Sequence, residues 1–194
     1  VYKEVTGDFD VKARLEFQDI SSRWGRAGLM VREDLNEGMA NPATTTEETT
    51  ASRYASMHAN PVRAFSDTGP GLVPGNNGFE SHFRAEVGGQ TTSQGGGVPS
   101  YPNVWLRLQR AGDTMFTFRS EDAQNWEMIA ERDVTGWNKK LLVGPSFSPE
   151  TQDGNINPAN GAEVKSRLFL IQIRFSPPAA PYLLSAKPAV GAVD

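Results

Sequence analysis

The segment Phe9–Phe17, FDVKARLEF, decides the fold of this chain. Its odd-numbered residues are apolar and its even-numbered residues are charged. Successive side chains of a β-strand point to opposite faces, so strict alternation predicts a strand with one buried face and one face in water.

The same two-residue period recurs along the chain, and polar or glycine-rich turns separate its occurrences. Strands are predicted at 27–32, 53–60, 79–87, 103–110, 114–120, 126–130, 141–147 and 164–175. The pair 103–110 and 114–120 forms the clearest hairpin, because Gly112 and Asp113 suit a short turn. No segment keeps a 3.6-residue apolar period. The sequence therefore predicts an all-β fold of two stacked antiparallel sheets with few or no helices.

Composition and charge exclude several classes of protein. Of the 194 residues, 38% are hydrophobic and 22% are charged, which is enough apolar material for a core. The net charge of −4 provides no surplus of cations for nucleic acid. The longest strongly apolar run, Leu168–Ile171, is too short to span a membrane. The chain has no cysteine, which excludes disulfides and fits an extracytoplasmic location in a bacterium.

The chain changes character near its end. We expect residues 1–175 to form the sandwich, with long spacers at 36–51, 61–78, 88–102 and 148–163. Residues 176–181, SPPAAP, predict a stiff proline-rich linker. Residues 182–194 are apolar and small, and we interpret them as the start of a following β-domain.

Four blocks of the sequence resemble successive parts of one bacterial family. They are GDFDVKARL (Gly7–Leu15), WGRAGLMVRE (Trp24–Glu33), FRAEVGG (Phe83–Gly89) and VWLRLQRAGDTMFTFRSEDAQNWEMI (Val104–Ile129). The family is the concanavalin A-like (lectin/glucanase) domain family of unknown function that is related to a "regulation of enolase" protein. The blocks run in the family's order.

The resemblance implies a jelly-roll sandwich that serves as one module of a large secreted or surface-anchored protein. It also implies that the first strand or strands are lacking here, since only residues 1–6 precede the first block. Residues 182–194 similarly resemble the start of an immunoglobulin-like module. The family brings no agreed catalytic residues.

The positions opposite the predicted core suggest a ligand-binding face. If the strands that carry these positions share one sheet, the face has aromatic rings that could stack on sugars. It also has charged groups that could form hydrogen bonds with sugar hydroxyls. The candidate binding residues are Arg32, Tyr54, His58, His82, Arg84, Trp105 and Arg107. The alternative is an ordinary solvated or loop-covered face.

Two possible metal sites follow from oxygen and nitrogen ligands. His58, His82 and Glu80 fall on one predicted face and could hold zinc. Asp153, Asn155, Asn157 and Glu163 offer oxygen ligands at spacings that suit Ca²⁺, although no EF-hand pattern is present. A plain turn explains the same Asp-Gly and Asn-Gly residues.

The sequence does not indicate an enzyme. The sequence has no motif that would place the two carboxylates of a retaining glycosidase together. It also has no P-loop motif and no dinucleotide-binding motif. We therefore expect a non-catalytic module that binds carbohydrate or a surface polymer and needs no cofactor except, in one interpretation, Ca²⁺. The alternative is a structural subunit whose sandwich contacts other protein chains.

Overall fold

The computed structural model describes residues 1–18, 25–35, 51–61 and 78–148, and the backbone of 166–174. These residues form eleven β-strands and no helix. In chain order the strands are β1 (Lys3–Thr6), β2 (Phe9–Gln18), β3 (Arg26–Arg32), β4 (Tyr54–Ala59), β5 (Phe79–Arg84), β6 (Thr92–Gly96), β7 (Val104–Ala111), β8 (Thr114–Ser120), β9 (Glu127–Asp133), β10 (Lys140–Ser148) and β11 (Ser166–Arg174). The nine predicted strands are all found, and β1 and β6 are additional.

The strands form two antiparallel sheets. The six-stranded sheet has the order β1-β10-β3-β4-β5-β6, and the five-stranded sheet has the order β11-β2-β7-β8-β9. The two sheets stack over one shared apolar core, which confirms the predicted jelly-roll sandwich. The linker predicted at 176–181 and the following β-domain predicted at 182–194 lie outside the described residues.

The core consists of the inward positions of both sheets. On β2 the alternation holds as predicted from Phe9 to Leu15, and the inward side chains of this stretch are at most 1% exposed. The largest apolar residues of the core are Phe9, Leu15, Leu29, Met57, Phe79, Leu106, Leu108, Met115 and Leu141. Burial of their side chains supplies the main driving force for stacking the two sheets.

The alternation on β2 changes phase near its end. Leu15 pairs with Leu168 and Phe17 with Arg167, so Glu16 is an extra residue on β2. Such a bulge reverses the facing of the residues that follow. Phe17 is consequently 48% exposed, whereas Gln18 is buried. The prediction that Phe17 belongs to the core is therefore wrong.

The β7–β8 hairpin shows why its turn has this sequence. Gly112 has a φ of +62°, a conformation that glycine adopts without steric cost. Its amide donates to an Asp8 carboxylate oxygen at 2.7 Å, which anchors the turn to the start of β2. The neighbouring Arg110 is only 1% exposed and donates to two backbone carbonyl oxygens.

Candidate functional site

The structure divides the predicted binding residues between the two sheets. β3, β4 and β5 are adjacent strands of the six-stranded sheet, and five of the predicted residues occupy their outward positions. These five are Arg32, Tyr54, His58, His82 and Arg84. The expectation of one shared face is wrong for Trp105 and Arg107, because β7 belongs to the opposite sheet.

We call the outward positions of β3, β4 and β5 the polar face. Alternation places nine side chains there: Arg26, Met30, Arg32, Tyr54, Ser56, His58, Glu80, His82 and Arg84. Sequence reasoning did not single out Arg26, because the predicted strand began at Ala27. Counting back in twos from Arg32 would have placed Arg26 on this face.

Four charged or titratable side chains form a continuous chain across the polar face. Arg26 Nε donates to Glu80 Oε2 at 2.7 Å, and His82 Nε2 lies 3.2 Å from the same oxygen. His82 Nδ1 lies 3.5 Å from His58 Nδ1. Both ring nitrogens of His82 therefore have a partner within the face.

Electrostatics fix the charge of Glu80. Burial opposes its ionisation, but the hydrogen bonds and positive charges of His82 and Arg26 outweigh burial and lower the pKa of Glu80 to about 2. Glu80 is therefore a carboxylate at neutral pH. It has oxygen capacity beyond its two partners, which suits hydroxyl donors from a ligand.

His58 was predicted on a wet face but is only 4% exposed. Burial, followed by the positive charges of His82 and Arg26, lowers the pKa of His58 to about 3, so this ring is neutral at pH 7. The neighbouring Ser56 is fully buried. Ser56 Oγ and His58 Nε2 have no hydrogen-bond partner in the part of the chain that the structure describes. The polar face is thus a partly buried network.

A second group on the polar face takes one residue from each of the adjacent strands β3, β4 and β5. Arg32, Tyr54 and Arg84 are direct cross-strand partners, so Tyr54 lies between two arginines. The Arg84 guanidinium lies 4.9 Å from the centre of the Tyr54 ring and donates to the Ser52 and Gly89 carbonyl oxygens. Burial lowers the pKa of Arg84, and the charge of Arg32 lowers it further.

A cleft of about 380 Å³ opens beside Glu80, at the end of the β5–β6 pair where Glu80 lies opposite Gly95. Gly95, Gly96 and Gly97 line it together with Val98. Glycines leave backbone groups accessible, so a ligand can approach closely there. The cleft places a carboxylate next to open space.

The outward side of the five-stranded sheet carries a separate group of residues, which we call the aromatic face. It consists of Trp105, Arg107, Phe116, Phe118, Trp126 and Met128. Arg107 is only 3% exposed and makes two hydrogen bonds of 2.7 Å to the Asp10 carboxylate. Its guanidinium also lies 5.0 Å from the Phe118 ring centre and 5.6 Å from that of Trp126.

This arrangement revises the role expected for Arg107. The guanidinium of Arg107 is buried, paired with a carboxylate by two hydrogen bonds and stacked on two rings. Its role is therefore structural, on the outer surface of the five-stranded sheet. Trp105 is half-buried on the same face, beside Arg14 of β2 in the sheet register.

Within the described residues, no group of three or more histidine, aspartate or glutamate side chains is placed to hold a metal ion. His58, His82 and Glu80, considered for zinc, contact one another in a line rather than around a common point. The calcium ligands predicted at Asp153, Asn155, Asn157 and Glu163 lie outside the described residues. In the same described ranges, no helix has the length and apolarity to cross a membrane.

Comparisons with known proteins support the fold. No protein-family model matches the chain, and no curated protein matches it. A solved structure of a functionally unknown protein from Saccharomyces cerevisiae is similar at a TM-score of 0.53 and 16% identity. That match covers 78% of this chain and 65% of the yeast protein, so the chain spans less than two thirds of its length. The κ-carrageenase from Pseudoalteromonas carrageenovora, solved with an oligotetrasaccharide of κ-carrageenan, is similar at a TM-score of 0.36 and 11% identity, over 76% of this chain and 54% of the enzyme.

Proposed function

We propose that this domain is a non-catalytic module that binds carbohydrate or a surface polymer through its polar face. The observation that carries the proposal is the line of contacting side chains Arg26, Glu80, His82 and His58, in which Glu80 borders a cleft. Proteins recognise sugars with side chains that accept and donate hydrogen bonds from fixed positions. Contacts with Arg26 and His58 fix the positions of Glu80 and His82.

The geometry of the polar face supports a ligand longer than one sugar ring. Arg84 and Glu80 are four residues apart on β5, which corresponds to about 13 Å at the rise of a strand. Tyr54 adds an aromatic ring near one end, and the cleft beside Glu80 extends the surface at the other. An extended polymer would contact both ends at once.

A hydrolase is disfavoured by the same face. Glycosidases use a pair of carboxyl groups on either side of the scissile bond. The outward positions of β3, β4 and β5 carry one carboxylate, Glu80. Binding without cleavage is the function that these residues fit.

We further propose that the domain belongs to the concanavalin A-like family that it resembles in sequence. In that case it serves as one module of a larger extracytoplasmic bacterial protein. The absence of cysteine from all 194 residues suits such a location. The jelly-roll fold is the basis on which this proposal stands.

Binding to an array of immobilised plant, algal and bacterial polysaccharides tests the proposed function. We expect retention on at least one polymer, and loss of that retention in His82→Ala and Glu80→Gln. Glu131→Gln is the matched control, because Glu131 is an exposed residue of β9 in the opposite sheet. Retention by every variant alike, or by none of the proteins including the wild type, would contradict the proposal.

Assembly with other protein chains is the second candidate function, and the aromatic face favours it. Met128 is 39% exposed there, and Phe17, turned outward by the bulge on β2, is 48% exposed. Trp and Arg are common anchors of protein interfaces. Sedimentation analysis of the wild type and of Trp105→Ala, over a range of concentrations, tests this candidate: association that Trp105→Ala weakens would support it.

A further inference from the structure

The outer edge of β6 has the properties of a docking site for another protein chain. We propose that β6 binds an extended, basic peptide segment of a partner protein as an added strand of the six-stranded sheet. The polar face consists of outward side chains of β3, β4 and β5, so the edge of β6 is a different surface. The inference therefore goes beyond the proposed function.

The backbone of β6 has an edge that is open to pairing. β6 ends the six-stranded sheet, and among the described strands only β5 pairs with it. Every second residue of an edge strand directs its N–H and C=O groups away from the sheet. All five residues of β6 are exposed. A peptide in an extended conformation can bond to these groups in the way that neighbouring strands bond to each other.

β6 differs from the other edge strands because it carries no charge. Charged side chains and proline protect an edge strand from pairing with other chains. The other described edges have such charges: Lys3 and Glu4 on β1, Arg167 and Arg174 on β11, and Glu127, Glu131, Arg132 and Asp133 on β9. The sequence of β6, TSQGG, has neither a charge nor a proline. Its edge is therefore the one that lacks this protection.

Two further features of β6 suit an added strand. Gly95 and Gly96 have no side chain, so another backbone can approach this part of β6 closely. Val87 precedes β6 and Val98 follows it, and these side chains are 53% and 48% exposed. A peptide that extends past both ends of β6 would cover their apolar surface, which favours binding.

The opposite sheet places its charged edge strand, β9, beside β6. Arg132 of β9 donates to Gln94 Oε1 of β6 at 3.1 Å. Arg119 lies so close to Gly97, directly after β6, that a Cβ atom there would collide with its guanidinium. The same guanidinium pairs with Glu127 of β9. An added strand on β6 would therefore lie next to the side chains of β9.

The charges of β9 indicate that the partner is basic. β9 carries three carboxylates and one arginine. The Glu127 side chain is 62% exposed although it pairs with Arg119, so a further cation can reach it. Lysine or arginine side chains on an added strand would be attracted to these carboxylates, and complementary charge favours the correct partner over others.

The same charges disfavour a second copy of this chain as the occupant of the edge. Pairing of β6 with β6 of another copy would bring the two β9 strands near each other. The three carboxylates of one copy would then approach the same three of the other, and like charges repel. A single peptide strand brings no acidic strand with it.

Fluorescence anisotropy of labelled synthetic peptides tests the proposal. The probe is a short peptide in which lysine alternates with valine. One control peptide has glutamate in place of lysine, and the other is the lysine peptide with N-methylated backbone amides, which keep the charge but cannot donate hydrogen bonds. We expect the lysine peptide alone to bind, and added NaCl to weaken its binding. Hydrogen exchange should become slower in β6 when this peptide is bound.

Variants of the protein locate the site. Ser93→Lys adds a positive charge to β6, and Glu127→Lys reverses a charge on β9. We expect each to weaken binding of the lysine peptide by about fivefold, the effect of one exposed ion pair. Glu4→Lys makes the same charge reversal on β1, at the opposite edge of the six-stranded sheet, and should leave binding unchanged. Melting curves show whether each variant is folded.

Several results would overturn the proposal. Equal binding of the N-methylated peptide would show charge attraction without strand addition, and equal binding of the glutamate peptide would contradict a basic partner. Slower exchange in β1 or β11 instead of β6 would place the peptide on another edge. Dimerisation in sedimentation analysis that Ser93→Lys abolishes would make a second copy the occupant. Absence of binding at millimolar lysine peptide would overturn the docking site itself.

Discussion

Arg110 shows how a single buried cation depends on its partners. Its side chain is 1% exposed on the core side of β7 and donates to the Gly112 carbonyl oxygen at 2.9 Å and the Asn138 carbonyl oxygen at 2.7 Å. Arg110→Met keeps much of the volume but leaves both carbonyls without this donor. We expect the free energy of unfolding in urea to fall by about 2–3 kcal/mol.

Arg132 supplies the control for Arg110. It is half-buried and donates to Gln94 Oε1 at an exposed site, so Arg132→Met should cost less than about 1 kcal/mol. Equal losses in the two variants would show that the buried hydrogen bonds of Arg110 contribute nothing specific.

His58 makes stability depend on pH in a defined direction. Its pKa is about 3 in the fold against 6.5 for an ordinary histidine, so the unfolded chain takes up a proton that the folded chain refuses. The stability is therefore complete above pH 6.5 and falls as the pH drops, by up to about 1.4 kcal/mol per pH unit. Urea unfolding at pH 7 and pH 5 measures the effect, and His58→Gln should abolish most of it.

Glu80 affects stability in a different pH range from His58, so the contributions of Glu80 and His58 can be measured separately. Its pKa is lowered from 4.5 to about 2, so its contribution is present above pH 4.5 and is lost only as the pH falls toward 2. Glu80→Gln should therefore keep the stability change between pH 7 and pH 5. If Glu80→Gln removes that change and His58→Gln does not, the assignment to His58 is wrong.

The strands themselves could be predicted closely from the sequence, because two-residue alternation directly reports which side chains are buried. Ranges such as 141–147 and 164–175 differ from β10 and β11 by one or two residues at each end. β6 could not be predicted, since the sequence TSQGG has no apolar alternation and all five residues are exposed. The bulge at Glu16 was also hidden, because it arises from pairing with β11 and leaves no mark on the sequence of β2.

Gly28 tests how tightly β3 and β4 must approach. A Cβ atom at this position would lie 2.1 Å from the Met57 carbonyl oxygen and 2.9 Å from His58 Cα, both of them backbone atoms. Gly28→Ala must therefore move β4, and we expect it to lower the free energy of unfolding by about 2 kcal/mol or more. Gly96→Ala on β6 meets nothing within 4 Å and should change stability by less than about 0.5 kcal/mol. Similar melting temperatures for the two variants would contradict this close approach.

At the scale of the molecule, alternation gives the face of each residue but not the sheet to which its strand belongs. Trp105 and His82 were assigned to one surface because both oppose core positions. The strand order places them on opposite sides of the sandwich. Sheet membership depends on long-range pairing, such as that of β10 with β3, which local sequence does not encode. The sequence therefore predicted which residues oppose the core, but not that these residues divide between two sheets.

Calcium binding stays a prediction for Asp153, Asn155, Asn157 and Glu163. If these residues bind Ca²⁺ in the folded state only, calcium raises the melting temperature by mass action and a chelator lowers it. Differential scanning calorimetry with calcium, and with EDTA, measures the shift. Identical melting curves would leave an ordinary turn as the explanation of this sequence.

The two faces of the sandwich should act independently. They belong to sheets that stack about 10 Å apart and point away from each other, and substitutions so far apart contribute additively to stability. We expect His82→Ala to abolish polymer retention without changing the association state, and Trp105→Ala to leave retention intact. In the double variant the two losses of unfolding free energy should add within about 0.5 kcal/mol. If Trp105→Ala abolishes retention while the melting curve is unchanged, the ligand contacts the five-stranded sheet, and the polar face is not the main binding surface.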